Sequence, residues 1–427
     1  MDKKTVSKQN NHSQHVAIDA IRKKLLGKKL TYREIFTLMD EIGSERLSPI
    51  LTAYFAAAGF REGFSEDELF YLTKAMAETG ETLHFKGVVA DKHSTGGVAG
   101  TRTTMILVPI IAAAGIKIPK LSSRAITSPS GTADTMEVLA NVTFSPAEIQ
   151  KLVMGIGGCI VWNGKMGLAP ADDIIIQVEQ PLAFESFDKI IVSVMAKKIA
   201  SGATHIVFDV PVGPTMKIQH FKDAEIVAKK FNVLARKFGK KIIVDINETR
   251  EPAGRGVGPV LECRDVLRVL EQDPERPLAL EAKALRLSTK LLDLCYEEMD
   301  KKKVGTGEMV AAEILKSGQA LKKMREIIKA QKGNSHIKST DLKLGKYKKE
   351  IMAYKKGVIS SVDNFQISAV AKILGSPADR AAGIFLQKRI EEKVGKDDIL
   401  CTLYSSDSWK LKEAVDTLDN MRIFKIE

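Results

Sequence analysis

The sequence predicts an α/β enzyme with a small α-helical domain, a larger α/β domain and a C-terminal α+β domain. Three observations predict it. Helical periodicity runs alone over 16–80, and strand-like and helical segments then alternate over roughly the next two hundred residues. A Gly/Ser/Lys-rich stretch, 332–346, then sets off a last segment, 345–427, of mixed short strands and helices. The chain of 427 residues is longer than one hydrophobic core usually serves, and 44% hydrophobic residues leave ample core for a buried site.

Taken in order, residues 1–15, MDKKTVSKQNNHSQH, are polar, with neither an apolar run nor a cleavage site, and are expected to be a disordered tail. Apolar residues at helical spacing in Val16–Leu26, Thr31–Ile42, Leu47–Ala58 and Glu66–Met76, stopped by Gly27, Gly43 and Gly59, predict four helices within a domain over 16–80. From residue 81 the pattern turns strand-like. Thr82–Ala90 reads as a strand, followed by a Gly-rich turn and a helix over Thr103–Ala114. Then come a strand at Lys117–Leu121, helices from Ala133 and Pro146, a strand at Cys159–Trp162, a helix at Lys189–Ala200 and strands at Ala203–Val210 and Lys241–Ile246. This alternation predicts a parallel or mixed sheet wrapped by helices, with long helices over Leu278–Met299 and Gly307–Ala330 completing it.

Composition excludes several classes. No run of about twenty apolar residues occurs, so a membrane protein is not expected and the place is read as cytoplasmic. Cys159, Cys263, Cys295 and Cys401 are too far apart for a zinc ribbon or a redox pair and read as core thiols, with no metal expected. The net charge of +12 is spread over lysine patches at Lys301–Lys303, Lys322–Lys332 and Lys343–Lys356 without interleaved aromatics. Those patches read as solvated faces, not as a nucleic-acid surface.

Two segments carry chemistry. In Asp91–Thr104, DKHSTGGVAGTRTT, Gly96, Gly97 and Gly100 permit close backbone approach, Lys92 adds a charge, and Ser94 and Thr103 add hydroxyl donors. In Leu121–Asp134, LSSRAITSPSGTAD, five Ser/Thr hydroxyls and Arg124 precede a helix. Two such loops after successive strands converge at one edge of an α/β sheet, where anions bind.

These segments, together with SVMAKKIASGATHIVFDVPVGP at Ser193–Pro214 and DNFQISAVAKILGSPAD at Asp363–Asp379, resemble the thymidine and pyrimidine-nucleoside phosphorylase family, most closely its AMP phosphorylase branch. The resemblance runs from about Val16 to the C-terminus. It implies a helical domain facing a larger α/β domain across a cleft. The helical domain is then completed by about 165–202, and the α/β domain comprises 81–164 and 203–340. It also implies a homodimer, and no cofactor beyond inorganic phosphate as co-substrate. The branch usually has an extra N-terminal domain tied to assembly that this sequence does not show.

Carried over by position, the family's phosphate ligands match Lys92, Ser94, Thr103, Ser122 and Thr132, with Thr103 replacing a serine of the nucleoside enzymes. Nucleotide-contacting positions of the branch match Gly97, Ser123, Arg124, Ala125, Ile126, Thr127, Ser128, Thr132, Ser193 and Lys217, and Lys197 matches a base-contacting lysine. The pyrimidine-gripping Arg of the nucleoside enzymes has no counterpart, its place being taken by LAPADDIIIQVEQP at Leu168–Pro181. The branch's proton donor, an aspartate in PLSxD, falls on Glu185 in PLAFE. His93, inside the phosphate loop, is the other candidate acid. The resemblance thus implies phosphorolysis of AMP, CMP and UMP to free base and ribose 1,5-bisphosphate. The alternatives are a thymidine or pyrimidine-nucleoside phosphorylase and, with less resemblance, an anthranilate-type phosphoribosyltransferase or a nucleic-acid-binding module.

Overall fold

The structure, a computed structural model, describes residues 3–125, 128–164, 166–179, 187–299 and 306–427, with side chains from residue 12 onward. The chain divides into two compact units, Met1–Gly87, Gly164–Thr204 and Ile226–Lys241 in the first, and Val88–Asn163, His205–Glu225 and Ile242–Glu427 in the second.

The first unit opens with helices α1 (Lys3–Leu25), α2 (Tyr32–Gly43), α3 (Pro49–Glu62) and α4 (Glu66–Glu78). Their starts are written locally. Thr31 with Glu34 and Ser65 with Glu68 form capping boxes that satisfy orphan amides, and Ser48 caps α3. Helix α2 buries Ile35, Leu38, Met39 and Ile42, one stripe at helical spacing. Helix α1 runs through the segment expected to be a disordered tail. Nothing before Gly27 breaks a helix, and Ser13 and Gln14 anchor it by donating to Glu41 Oε1 (2.6 Å) and to the Arg46 carbonyl (3.0 Å).

In the second unit the strand expected over Thr82–Ala90 begins later, as β1 (Ala90–Ser94), so the first residues of the glycine motif are themselves strand. Charged residues hide that strand from a pattern reading. Asp91 and Lys92 are buried, and Lys120 Nζ lies 3.4 Å from Asp91 Oδ1 while donating to the Lys92 carbonyl at 2.7 Å. Helix α5 (Thr103–Ala113) is buried over every residue from Thr103 to Ala112, as its nearly unbroken apolar sequence requires. Next come β2 (Ile118–Ser122), α6 (Thr132–Met136), α7 (Pro146–Ile156) and β3 (Gly158–Trp162), and β2 and β3 pair in parallel.

The chain returns to the first unit for α8 (Pro170–Glu179) and α9 (Phe187–Ala200), then forms β4 (His205–Val212), α10 (Phe221–Lys237) and β5 (Lys241–Glu248). Strand order β1-β4-β5 defines a three-stranded sheet, with β1 and β4 parallel. The segment Ile226–Lys241 was expected in the α/β part but groups with the helices. Phe238 packs against Phe70 with the rings tilted at 4.8 Å and Lys237 pairs with Asp67 at 2.8 Å, contacts between residues remote in sequence. Strand β6 (Gly256–Val257) and helices α11 (Pro259–Glu271) and α12 (Leu278–Met299) follow. The helix expected over Gly307–Ala330 is two, α13 (Gly307–Lys316) and α14 (Gln319–Ala330), parted at Gly318, whose φ of 79° favours glycine. Helices α11, α12, α13 and α14 join α5 in one core.

The last segment holds β7 (Tyr347–Met352), β8 (Gly357–Val362), α15 (Asn364–Ile373), β9 (Gly383–Leu386), β10 (Lys393–Val394), β11 (Ile399–Ser405), α16 (Ser408–Thr417) and β12 (Phe424–Ile426). It is tied to the α/β part of its unit by β6, which pairs antiparallel with β9. All four cysteines are buried and free. No helix among the described residues is long and apolar enough to cross a membrane.

Candidate active site

The site starts at the carboxyl ends of two parallel strands. Alternation along β1 places Lys92 and Ser94 on one face, and the register sets Ser94 beside Asp209 of β4. Ser94 Oγ donates to Asp209 Oδ2 at 3.1 Å, and Lys92 Nζ lies 3.6 Å from the same oxygen. Lys92 Nζ also donates to Thr103 Oγ1 (3.2 Å) and Thr104 Oγ1 (3.5 Å) at the start of α5. Gly100 makes the turn before α5, with φ of 65° and no room for a side chain, since a β-carbon would sit 2.8 Å from the Gly256 carbonyl oxygen.

Charge is concentrated here out of water. Burial pushes the Lys92 ammonium down to about 8, against the pull of Asp209. Burial would raise the Asp209 carboxyl, but Lys92 and Lys283 outweigh it and bring the group down to about 2, so it stays ionised. Lys283 of α12 lies 3.2 Å from Asp209 Oδ1, and Asn247 Nδ2 donates to it at 2.9 Å. Two ammonium groups thus share one carboxylate, leaving positive charge for an anion.

The second loop is held by carboxylates and a guanidinium. Asp134 accepts from the Ala125 amide (2.6 Å), the Gly131 amide (2.9 Å) and Arg124 Nη1 (3.0 Å). A β-carbon on Gly131 would lie 2.5 Å from the Arg124 carbonyl carbon, so only glycine lets the loop fold back on itself. Arg102, just before Thr103, donates from Nη1 to Thr132 Oγ1 (3.3 Å) and from Nη2 to the Ser130 carbonyl (2.8 Å), and its Nε pairs with buried Glu262. Thr103 and Thr132 are therefore linked through consecutive residues of one segment.

Not every expected residue takes the expected place. Arg124, read from sequence as a cation for a ligand phosphate, is instead engaged by Asp134 and by both oxygens of Glu137 (2.8 Å each) and lies over Trp162 at 4.8 Å, which matches its charge and makes it a brace for the loop. His93 lies on the face of β1 opposite Lys92 and Ser94, with its ring edge-on to Phe208 at 6.2 Å. Ser122 ends β2 half-buried, the Ser123 carbonyl accepts from the Ala133 amide (3.4 Å), and buried Ser128 donates from Oγ to the Ser130 carbonyl (2.8 Å). Gly97 and Lys217 are exposed. Ile126, Thr127 and Glu185 lie outside the described residues.

The helical unit carries a separate constellation. Ser193 and Lys197, one turn apart on α9, face the first turn of α8. Ser193 Oγ donates to Asp172 Oδ2 (2.7 Å), and Lys197 Nζ lies 2.9 Å from Asp172 and 3.0 Å from Asp173. Burial would lower the Lys197 ammonium, yet the two aspartates together hold it above the ordinary lysine range. Asp172 and Asp173 thus position these groups.

Sequence reasoning missed Asp209, Lys283, Arg102 and Glu262. Arg102 and Asp209 stood inside the segments singled out, and a charged residue next to threonine hydroxyls or ending an apolar strand was the available signal. Lys283 and Glu262 had none, being ordinary charges in helices until the fold brings them in. Among the described residues, no three His, Cys, Asp or Glu side chains are grouped to hold a metal ion.

A buried lysine, hydroxyls and helix starts at the carboxyl ends of parallel strands are the features with which α/β enzymes hold phosphate-like oxyanions. The comparisons specify the class further. Residues 86–321 match the description "Glycosyl transferase family, a/b domain", residues 18–80 its helical bundle domain, and residues 358–424 "Pyrimidine nucleoside phosphorylase C-terminal domain". The chain belongs to this glycosyl transferase family and is a pentosyltransferase. It is 41% identical to an AMP phosphorylase of Methanococcus aeolicus over 96% of this chain and 81% of that one. It is 43% identical to a Rhodopseudomonas palustris protein named "Putative thymidine phosphorylase", over 92% of this chain and 74% of that one. Anthranilate phosphoribosyltransferase of Thermus thermophilus shares the fold, with a TM-score of 0.59 at 18% identity over 74% of this chain and all of the other.

Proposed function

We propose that this protein splits the N-glycosidic bond of nucleoside 5′-monophosphates (AMP, CMP and UMP) with inorganic phosphate as co-substrate, releasing free base and ribose 1,5-bisphosphate. The observation that carries the reading is the donor set around Lys92. Its ammonium, the Thr103 and Thr132 hydroxyls and the amides at the start of α5 offer an anion charge and donors in a dry setting. A phosphate oxygen attacks C1′ of the ribose, the C–N bond breaks, its electron pair leaves on the base, and a proton neutralises the base. Preorganised donors hold the nucleophile at the distance where attack begins. Protonation falls to Glu185 or His93.

Two features support a 5′-phosphorylated substrate. The relatives named AMP phosphorylase match over nearly the whole chain. The arginine that nucleoside enzymes turn on a pyrimidine is missing, and Asp172 and Asp173 of the replacing run are spent on Ser193 and Lys197. The second reading, phosphorolysis of unphosphorylated pyrimidine nucleosides, is favoured by the relatives named for thymidine and by the C-terminal domain match. In either reading Ser193 and Lys197 are assigned to the nucleoside. The protein is read as a cytoplasmic homodimer that needs no cofactor or metal. The test is base release with and without inorganic phosphate. The proposal expects release only when phosphate is present, and equal release without it would mean a hydrolase.

A further inference from the structure

Thr103 and Thr132, the threonines assigned to phosphate from the two loops, are each hydrogen-bonded by a cation. Lys92 serves Thr103 Oγ1 at 3.2 Å, and Arg102 Nη1 serves Thr132 Oγ1 at 3.3 Å. A hydroxyl oxygen accepts through lone pairs and donates one proton. When a cation occupies the accepting side, the proton must find its acceptor elsewhere, and a buried proton without one is costly. Among the described residues no group takes either proton, and an oxyanion is an acceptor that fits both.

Lys92 already belongs to the phosphate set, whereas Arg102 has no part in it so far. Its guanidinium is buried and joins three chain segments: its own loop before α5, the loop before α6, and the start of α11 through Glu262. Glu262, 1% exposed, also accepts from the Gly100 amide (3.3 Å) and the Gly258 amide (3.2 Å), so the clamp is itself fixed. The Ser130 carbonyl accepts from Arg102 Nη2 and from Ser128 Oγ, each at 2.8 Å. Both of its lone pairs are engaged, and an acceptor that would repel phosphate is covered.

We infer that Arg102 is a positioning residue for phosphate: held by Glu262, it turns the Thr132 hydroxyl into a donor and masks the Ser130 carbonyl, so that this loop presents donors alone. The inference rests on the phosphorolysis proposed above and deepens it. Arg102 acts through Thr132, so the two must depend on each other. A lysine in its place keeps a charge beside Glu262 but has a single ammonium, which cannot span Glu262, Thr132 and Ser130 as the planar fork does.

The experiment is a double-mutant cycle on the full chain, with Arg102→Lys, Thr132→Ala and both together, measuring KM for inorganic phosphate, KM for the nucleotide and kcat. Each single change is expected to raise phosphate KM about tenfold, and to raise it more than it raises nucleotide KM. The double variant is expected to lose no more than the worse single one. Thr132→Ser, which keeps the hydroxyl, restores phosphate KM in the presence of Arg102 and not in the presence of Lys at that position. Multiplying effects in the double variant, or an unchanged phosphate KM in Arg102→Lys, would overturn the inference. If Arg102→Lys does not fold, Glu262→Gln loosens the clamp with Arg102 in place. It should then raise phosphate KM in the Thr132 background and not in Thr132→Ala, and equal losses in both overturn the inference. A wild-type protein with no phosphate-dependent base release fails the functional reading instead, before any variant is compared.

Discussion

Lys92 and Asp209, on neighbouring parallel strands, form an ion pair at 3.6 Å in which both side chains are almost fully buried. The carboxylate is shared with Lys283 at 3.2 Å, so it does not cancel the charge of Lys92. Burial lowers that lysine to about 8, and a dianion placed beside it, as proposed for phosphate, would favour the protonated form.

A pH dependence follows from this pair. In the proposed reading the protonated form of Lys92 binds phosphate, and in the free enzyme that form predominates below about 8 and is lost as pH rises through that value. Phosphate keeps its dianionic charge above that pH, so kcat/KM for phosphate should fall about tenfold per pH unit there while kcat at saturating phosphate holds further up. A kcat/KM profile flat to pH 10 would show that Lys92 carries no titrating charge for the anion.

Removing the charge altogether tests the same residue more bluntly. Lys92→Ala should lower kcat/KM for phosphate by about a hundredfold or more, the usual loss when a preorganised oxyanion donor is deleted. Circular dichroism and a melting curve check that the fold survives, and a folded variant with near-native phosphate KM contradicts the assignment.

Asp209→Asn leaves Lys92 and Lys283 facing each other without a carboxylate. Breaking one partner out of a buried charge pair costs about 3–5 kcal/mol, which a denaturant midpoint reads directly. Asp209→Asn with Lys283→Met, which removes one surplus charge as well, should recover part of that loss. A midpoint for Asp209→Asn equal to wild type would show the pair to be energetically idle.

The proton donor is decided by Glu185→Gln, which keeps the shape and removes the titratable proton. The account expects turnover to fall about a hundredfold or more if Glu185 does the work the family gives to an aspartate. Near-native turnover assigns the role to His93, and His93→Gln should then show the loss.

Much of this site was legible in the sequence because its parts are local. Glycines at turns, hydroxyls before helices and a lysine in a polar motif can be read from consecutive residues, and Gly100 and Gly131 stand where the backbone has no room for a side chain. The capping boxes at Thr31 and Ser65 mark helix starts just as plainly. What could not be read depends on distant partners. The strand expected over Thr82–Ala90 lies later, at Ala90–Ser94, because Asp91 and Lys92 are tolerable in a buried strand only when Lys120 and Asp209 meet them. Arg124 was read as free charge because its two carboxylates, ten and thirteen residues on, turn toward it only after the loop closes. Helices α10 and α11 drew no assignment from the pattern, and Lys283 and Glu262 acquire meaning only through packing.

The central claim concerns the substrate, and the most direct measurement is phosphate-dependent base release from AMP, CMP and UMP beside adenosine, cytidine, uridine and thymidine. The account predicts that the monophosphates have the higher kcat/KM, by at least about tenfold, with ribose 1,5-bisphosphate as the sugar product. Equal or higher kcat/KM for the nucleosides would contradict it and make the chain a pyrimidine-nucleoside phosphorylase.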